Sequence, residues 1–329
     1  MFLGCIEIMV EWKDGIAKLT LPTPFSVGDV NAYLIKGDRL TLVDAGTKTK
    51  ESWESFQSQL SDLRLKPEDV EQVILTHDHP DHVGMLDYLS PDLEVYGHHL
   101  NERWINRTSD FEKEHKEFYE KIFMQSAIPE QYFVPSMKGM KKALVFSCNR
   151  SLTGTILEND VPPALPGWKV IETPGHAQSH IVLLREKDGT MIAGDTILAG
   201  ISPNPLLEPP LPGELERPRS LVQYNTTLKK LQQYRVGLVY TGHGTEIMEL
   251  HRLIDKRLAR QHDRAMQVRG MLEGRELTVF EICKLLFPTV YERELNLTIS
   301  ETVGQLDYLQ SLDAISVREE GDFFVYTAK

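Results

Sequence analysis

Cysteine is nearly absent from this chain: three residues in 329, Cys5, Cys148 and Cys283, odd in number and far apart. They offer neither a disulfide framework nor the clustered thiolates of a structural metal site, and read as buried, inert thiols in a reducing compartment. Long apolar runs are missing too. No stretch reaches the roughly eighteen residues a membrane span requires, so no membrane partner is expected. The opening segment lacks a basic leader, and Glu7 interrupts its short apolar stretch. Phe2-Leu3-Gly4-Cys5 only faintly matches a lipidation box, which needs a charged leader and a longer apolar segment. A cytoplasmic location is therefore expected. Positive charge is in short supply: 36 Lys and Arg face 48 Asp and Glu, a net charge of −12. Phosphate backbones are held by clustered cations, so this balance argues against duplex DNA and disfavours RNA while leaving it open. What is present is an ordinary globular composition, 41% hydrophobic and 26% charged, on a chain long enough for a main domain with an appendage.

The first part reads as β-hairpins. Ile6 to Val10 and Ile16 to Leu21 flank a Lys13-Asp14-Gly15 turn; Asn31 to Ile35 and Leu40 to Val43 flank Gly37-Asp38. Thr47 to Leu63 has helical spacing with Trp53, Phe56 and Leu60 on one face. Val73 to Leu75 is a short buried strand, Asp81 to Leu89 a helix, and Leu93 to Tyr96 another strand. A similar grammar returns later. Lys169 to Glu172, Ile181 to Arg185, Met191 to Ala193 and Gly237 to Tyr240 read as strands, and Leu221 to Tyr234 as an amphipathic helix. Two βα halves packed sheet to sheet, with helices outside, would satisfy both patterns.

Two stretches interrupt this plan. Residues 98–150 are helix-rich, with Trp104, Phe111, Phe118, Tyr119, Phe123 and Met124 set among charges. Residues 199–219 carry too much proline for a helix or an inner strand. Both adjoin motifs described below and are expected to close the mouth of a cleft. The catalytic unit is expected over 1–250. From 251 to 329 three helices precede a hairpin over Ile315 to Tyr326, the order of a winged-helix domain.

The chemistry is concentrated in Thr76-His77-Asp78-His79-Pro80-Asp81-His82, where a buried strand ends and a helix begins. His77 and His79, two apart in an extended loop, can turn their imidazoles to one side. Asp81 and His82, at the following turn, can reach a second ion. Imidazole and carboxylate together suit Zn²⁺, and also Mn²⁺ or Fe²⁺. Three further fragments follow predicted strands: Thr173-Pro174-Gly175-His176, Gly194-Asp195, and Thr241-Gly242-His243-Gly244. Each sets one His or Asp beside glycine, where backbone and ligand can approach an ion closely. His180 could line the pocket, support a ligand, or simply pack. His98 and His99 open the insertion, and His115, His251 and His262 read as solvated.

In this order the motifs resemble the metallo-β-lactamase superfamily over roughly residues 5–250. The resemblance implies an α+β fold, an αββα sandwich with a dinuclear site along one edge. It implies that His77, His79 and His176 hold one metal and Asp81, His82 and His243 the other, with Asp195 bridging. Asp44, in Leu42-Val43-Asp44-Ala45-Gly46, matches the family's first motif, where the carboxylate holds a ligand histidine. Two cations, Zn²⁺ first among the candidates, would make hydroxide available for attack on a carbonyl or phosphoryl centre, with Asp81 orienting the nucleophile. Asp81 and Asp195 are the expected catalytic carboxylates.

The superfamily spans many reactions, so the fold leaves the substrate open. The glutathione-binding pattern of glyoxalase II is missing after Asp195, and a bridging Asp argues against antibiotic hydrolysis. The chain resembles the branch with a C-terminal winged helix, which includes a single-strand endoribonuclease and thioesterases acting on carrier-bound acyl chains. Hydrolysis of a thioester, lactone or related ester is the first reading, with a small-molecule or acyl-carrier-bound substrate. Arg217 and Arg219, together with His180, are the candidate substrate contacts. A single-strand endoribonuclease and a mononuclear-iron persulfide dioxygenase are the alternatives. In the C-terminal region, Ser300 to Leu312 lacks the cations of a recognition helix, and its stripe of Val303, Leu306, Leu309 and Leu312 predicts packing on the linker helix or catalytic domain. That appendage is expected to cover the active-site edge or form a homodimer contact.

Overall fold

The computed structural model describes residues 9–329. Six strands form a first sheet in chain order: β1 (Ile16–Leu21), β2 (Val30–Lys36), β3 (Leu40–Val43), β4 (Gln72–Ile74), β5 (Glu94–Gly97) and β6 (Gly154–Thr155). The first three pair antiparallel and the rest parallel. A second sheet has the order β10-β9-β8-β7, from β7 (Trp168–Glu172), β8 (Ile181–Arg185), β9 (Thr190–Ile192) and β10 (Leu238–Tyr240). The helices are α1 (Lys50–Asp62), α2 (Pro80–Val83), α3 (Glu102–Ile105), α4 (Ser109–Gln125), α5 (Phe133–Ala143), α6 (Ser220–Leu231) and α7 (Leu250–Met271). Beyond them lie β11 (Leu277–Thr278), α8 (Val279–Leu286), α9 (Leu295–Ser311), and the hairpin β12 (Ile315–Glu320) and β13 (Phe323–Ala328).

The period-two alternation of each strand sorts its side chains between layers. On β2, Tyr33 and Ile35 face the core between the sheets, while Val30, Ala32 and Leu34 join Phe56 and Leu60 of α1 in an outer layer. On β8, Ile181 and Leu183 face the inter-sheet core, while Val182 and Leu184 pack with Leu221, Tyr224 and Leu228 of α6. The result is helix, sheet, sheet, helix, the expected αββα sandwich. Thr49 starts α1 by accepting the Ser52 amide at 3.1 Å, satisfying one of the free donors of the first turn.

Several boundaries differ from expectation. Residues 6–8 of the expected first strand lie outside the described residues, and Met9 and Val10 are not in a strand. The helix expected over Asp81 to Leu89 is a single α-turn, α2, followed by a 3₁₀ turn over Gly84–Tyr88. The chain is closely packed at that junction, where only glycine fits: a Cβ on Gly84 would stand 2.2 Å from both the Lys48 nitrogen and the Phe146 oxygen. Cys148 and Cys283 are buried free thiols, as expected; Cys5 is outside the described residues. No described helix is long and apolar enough to cross a membrane.

The C-terminal region has three helices and a three-stranded sheet ordered β11-β13-β12, the element order of a winged helix. Its link to the sandwich is α7 itself. Leu250 and Ile254 belong to the outer layer of the second sheet, while Ala265 and Val268 belong to a further core. That further core joins α8 and α9 to Tyr119, Ile122 and Phe123 of α4 and to Leu207 of the proline-rich loop. On α9, Val303, Leu306 and Leu309 are buried as expected, but Leu312 is 46% exposed because the helix has already ended at Ser311. A Cβ on Gly304 would meet the Leu221 Cβ at 3.0 Å, so α9 lies directly against α6.

Candidate metal centre

The candidate ligands collect at one edge of the sandwich because they follow strands that point the same way. Asp44 follows β3, His77 to His82 follow β4, Asp195 follows β9, and His243 follows β10. His176 sits in the turn between the antiparallel strands β7 and β8. The two sheets are tied at this edge. Asn31 N donates to the Gly242 carbonyl at 2.7 Å, and Asn31 Nδ2 and the Tyr33 hydroxyl both donate to the Thr241 carbonyl, at 2.9 and 2.7 Å. These bonds bring His243 of the second half to the first. Gly242 is required by proximity, since a Cβ there would lie 2.0 Å from Asp195 Oδ1.

Of three groups of donors that could hold an ion, two share no residue, His77 with His79 and His176, and Asp81 with His82 and His243, while the third, Asp44 with His77 and His82, overlaps both. His77 Nε2 and His79 Nδ1 stand 3.0 Å apart. Asp195 lies between the groups. Its Oδ2 is 3.6 Å from His176 Nε2 and 3.5 Å from His243 Nε2, and its Oδ1 is 3.6 Å from His82 Nε2. His82 Nε2, His176 Nε2, His243 Nε2 and Asp195 Oδ1 are all buried without a hydrogen-bond partner. Unsatisfied buried polar atoms are rare and costly. Three such nitrogens gathered around a carboxylate with an unpartnered oxygen of its own are what a divalent cation site requires, and the donor chemistry fits one.

The opposite ring atoms fix which nitrogen is turned toward an ion. His82 Nδ1 donates to Asp44 Oδ2 at 2.8 Å, His176 Nδ1 to the Asn204 carbonyl at 2.8 Å, and His243 Nδ1 to the Asp29 carbonyl at 2.8 Å. Each bond sets the tautomer, leaving Nε2 free to ligate. His77 is held by a relay: the Thr76 hydroxyl donates to Asp44 Oδ2 at 2.8 Å and accepts from His77 Nδ1 at 3.0 Å. Asp44 therefore orients a ligand in each group, and also accepts the Thr76 amide at 2.8 Å.

The expected substrate residues are placed differently. His180 is buried, and its Nε2 accepts the Asp195 amide at 3.1 Å while its Nδ1 faces Thr173 and Thr196 hydroxyls at 3.0 Å. It braces Asp195 from behind instead of facing a substrate. Arg217 is taken up by Asp307 of α9, its Nη1 and Nη2 bonding the two carboxylate oxygens at 2.7 and 2.8 Å. With the guanidinium fork filled, it ties two parts of the chain together instead of clamping an anion. Arg219 is exposed at the start of α6. His115, expected in solvent, packs among Trp104, Phe111 and Tyr119, and burial pushes its pKa down to about 4. His98 approaches Glu172 at 3.5 Å and belongs to neither ligand group.

The insertion and the proline-rich loop meet beside the ligands. Arg103 donates to the Pro210 carbonyl at 3.2 Å and the Tyr119 hydroxyl to the Leu207 carbonyl at 2.6 Å, while Glu208 accepts the Gln178 amide at 2.7 Å. Thr76, Asn204 and Asp29 were missed in the sequence. Thr76 directly precedes His77 and could have been noticed, but Asn204 and Asp29 act on the histidines through main-chain carbonyls, which leave no side-chain signature.

Electrostatics separate the two groups. Burial lowers the pKa of His77, His79 and His176, that of His79 to about 3, so these three are neutral near pH 7. Burial also works against His243, but its contacts with Asp195 and Asp81 outweigh that and raise it to about 10. His82 is raised as well, desolvation being overcome by Asp195, Asp44 and Asp81. The folded pKa of His243 exceeds the ordinary value, so below about pH 10 the metal-free protein carries a proton that an ion must displace. Metal uptake by the Asp81, His82 and His243 group should therefore release protons and weaken about tenfold per pH unit, for each proton displaced, as pH falls from about 8 to about 6. The His77 group should be insensitive over that range. Calorimetric titration in buffers of different ionisation enthalpy measures the release; equal pH slopes for uptake at the two groups would contradict it.

A four-layer sandwich with a His and Asp donor set at its strand ends defines a metal-binding protein of αββα type. The chain belongs to the metallo-β-lactamase superfamily, whose family model matches residues 26–243. It is 45% identical over 309 residues to the probable metallo-hydrolase YqjP of Bacillus subtilis, covering 94% of this chain and 96% of that one. It is 20% identical over 253 residues to a protein of Aspergillus fumigatus named atrochrysone carboxyl ACP thioesterase, covering 75% of this chain and 61% of the other. The fold is similar to that of the metallo-β-lactamase family protein TTHA1429 of Thermus thermophilus, with a TM-score of 0.81, 23% identity, and coverage of 96% and 99%.

Proposed function

We propose that this metallo-hydrolase holds two divalent cations and cleaves a thioester, lactone or related ester of a small or carrier-bound acyl group. The observation that carries the two-ion reading is the position of Asp195, whose two oxygens lie 3.5 to 3.6 Å from imidazole nitrogens of both ligand groups. Cations at such a site acidify water and polarise a carbonyl oxygen. The chain's own groups do the rest. Asp44, Asn204 and Asp29 hold the imidazole protons on the far side of the rings, and His180 fixes the backbone of Asp195. Asp81, with Oδ2 at 3.2 Å from His243 Nε2, is the carboxylate placed to orient an attacking water. Zn²⁺ suits the donors best, with Mn²⁺ or Fe²⁺ also compatible.

Support for an acyl substrate comes from the fungal relative named as a thioesterase and from the charge around the ligands. The groups that act most strongly on the ligand pKa values are His and Asp, with no Lys or Arg among them. Holding a nucleic-acid backbone would call for clustered Lys and Arg besides the metal ions. On α9, Glu301, Gln305 and Asp307 are buried, which removes the helix that would otherwise enter a duplex groove. The test is turnover by purified, metal-assayed protein against acyl-carrier-linked and small acyl thioesters, lactones and single-stranded RNA. Ester or thioester turnover abolished by chelator and restored by Zn²⁺ or Mn²⁺ is expected. RNA cleavage without ester turnover, or one iron per chain with oxygen consumed on a persulfide, would replace this reading with another.

A further inference from the structure

The segment from Leu198 to Leu207 has no regular structure, yet other parts of the chain grip it at both ends and in the middle. Arg257 of α7, only 4% exposed, donates to the Leu198 carbonyl at 2.9 Å and the Ile201 carbonyl at 2.6 Å. Leu207 N donates to Ser300 Oγ of α9 at 3.3 Å, while its carbonyl takes the Tyr119 hydroxyl. Between these anchors Asn204 faces two ways. Its Nδ2 donates to the Leu297 carbonyl in the first turn of α9 at 2.9 Å, and its own carbonyl accepts from His176 Nδ1 at 2.8 Å. Pro203 and Pro205 flank it. Proline removes ladder hydrogen bonds and restricts the preceding residue to extended backbone, so the strap is stiff but has no main-chain pairing of its own. Asn204 Oδ1 is buried without a partner, which leaves the Leu297 bond to fix the amide.

We propose that Asn204 is a positioning residue through which α9 of the C-terminal region orients His176. The appendage thereby governs the His77, His79 and His176 group and leaves the Asp81, His82 and His243 group untouched. A ligand imidazole whose far nitrogen has a fixed acceptor keeps its tautomer and ring angle, and losing such a partner typically weakens a metal about 10–100-fold. This inference rests on the two-ion reading above.

The test uses the full chain and Zn²⁺ alone. Affinities and stoichiometry are measured by competition with a chromogenic chelator, alongside the melting temperature of the metal-free protein. In N204A one of the two ions should bind about 10–100-fold more weakly, with the other unchanged. N204D, nearly isosteric but without the donor, should show the same selective loss even if the alanine variant folds poorly. R264A is the control: it breaks the Arg264–Glu301 ion pair between α7 and α9 without touching the strap, and should keep both affinities. The proposal is overturned if Asn204 variants bind both ions like the wild type. It is equally overturned if both ions weaken together with a fall in metal-free melting temperature, or if R264A reproduces the loss. Wild-type protein that takes up no zinc would instead bring down the metal-centre reading on which the proposal stands.

Discussion

Replacing Asp195 by Ala is expected to lower turnover on the order of 10³-fold or more and, on the two-ion proposal, to reduce bound metal from two ions toward one. The residue is buried, and its two oxygens are shared among His82, His176 and His243 at 3.5 to 3.6 Å. Burial alone would raise its pKa. His82 and His243 reverse that and hold it well below the ordinary carboxylate value, so it is anionic throughout the working range. Removing it deletes the one negative charge common to both groups and leaves His82 and His243 with weaker reason to gather a cation. The damage cannot be repaired by local collapse, because Gly242 has no side chain to fill the space. D195N, which keeps volume but loses charge, should fall between the two. Activity assays paired with metal analysis decide the matter: an alanine variant within tenfold of wild type and still holding two ions would show that the carboxylate is not the bridge.

The second large effect is expected at Asp44, and it reaches stability as well as chemistry. Its carboxylate accepts from the Thr76 amide, the Thr76 hydroxyl and His82 Nδ1, each at 2.8 Å and all buried. D44A leaves three donors unsatisfied and should cost about 3–5 kcal/mol, the range for stripping one partner from a buried charged pair. Asp44 also has φ of 60°, a left-handed backbone that Asp and Asn tolerate better than Ala, so strain adds to the loss. D44N separates the contributions. It suits the backbone and can still accept from Thr76, but turns an N–H toward His82 or gives up a Thr76 bond. Denaturant unfolding of metal-free protein should therefore show D44N closer to wild type than D44A. Zinc affinity should drop about 10–100-fold in both. A D44N protein with normal metal affinity would show that Asp44 serves the fold and not the ligands.

How much of this was legible beforehand depends on range along the chain. The seven candidate ligands stood out because each lies in a short motif at a predicted strand end, and His77 to His82 supply four of them within six residues. Short apolar strands, such as Ile181 to Arg185, appear with the boundaries expected. The helix after His79 did not: it is a short α-turn continued as a 3₁₀ turn, at a Gly84 crowded by Lys48 and Phe146, neither of them near in sequence. The contacts of His180 and Arg217 were hidden for the same reason. Their partners are Asp195, fifteen residues away, and Asp307, ninety residues from Arg217.

The order of apolar and polar residues thus determined by itself the layers of the sandwich, the donor types and the motifs that carry them, since periodicity and ligand chemistry are local properties of the chain. Only the tertiary structure decided which carbonyl meets which imidazole, that Asp44 serves His82 and His77 together, and that the proline-rich strap joins His176 to α9. Those assignments depend on backbone groups that every residue possesses, so no residue type marks them. They also span long separations, bridged when the two sheets close on a common core.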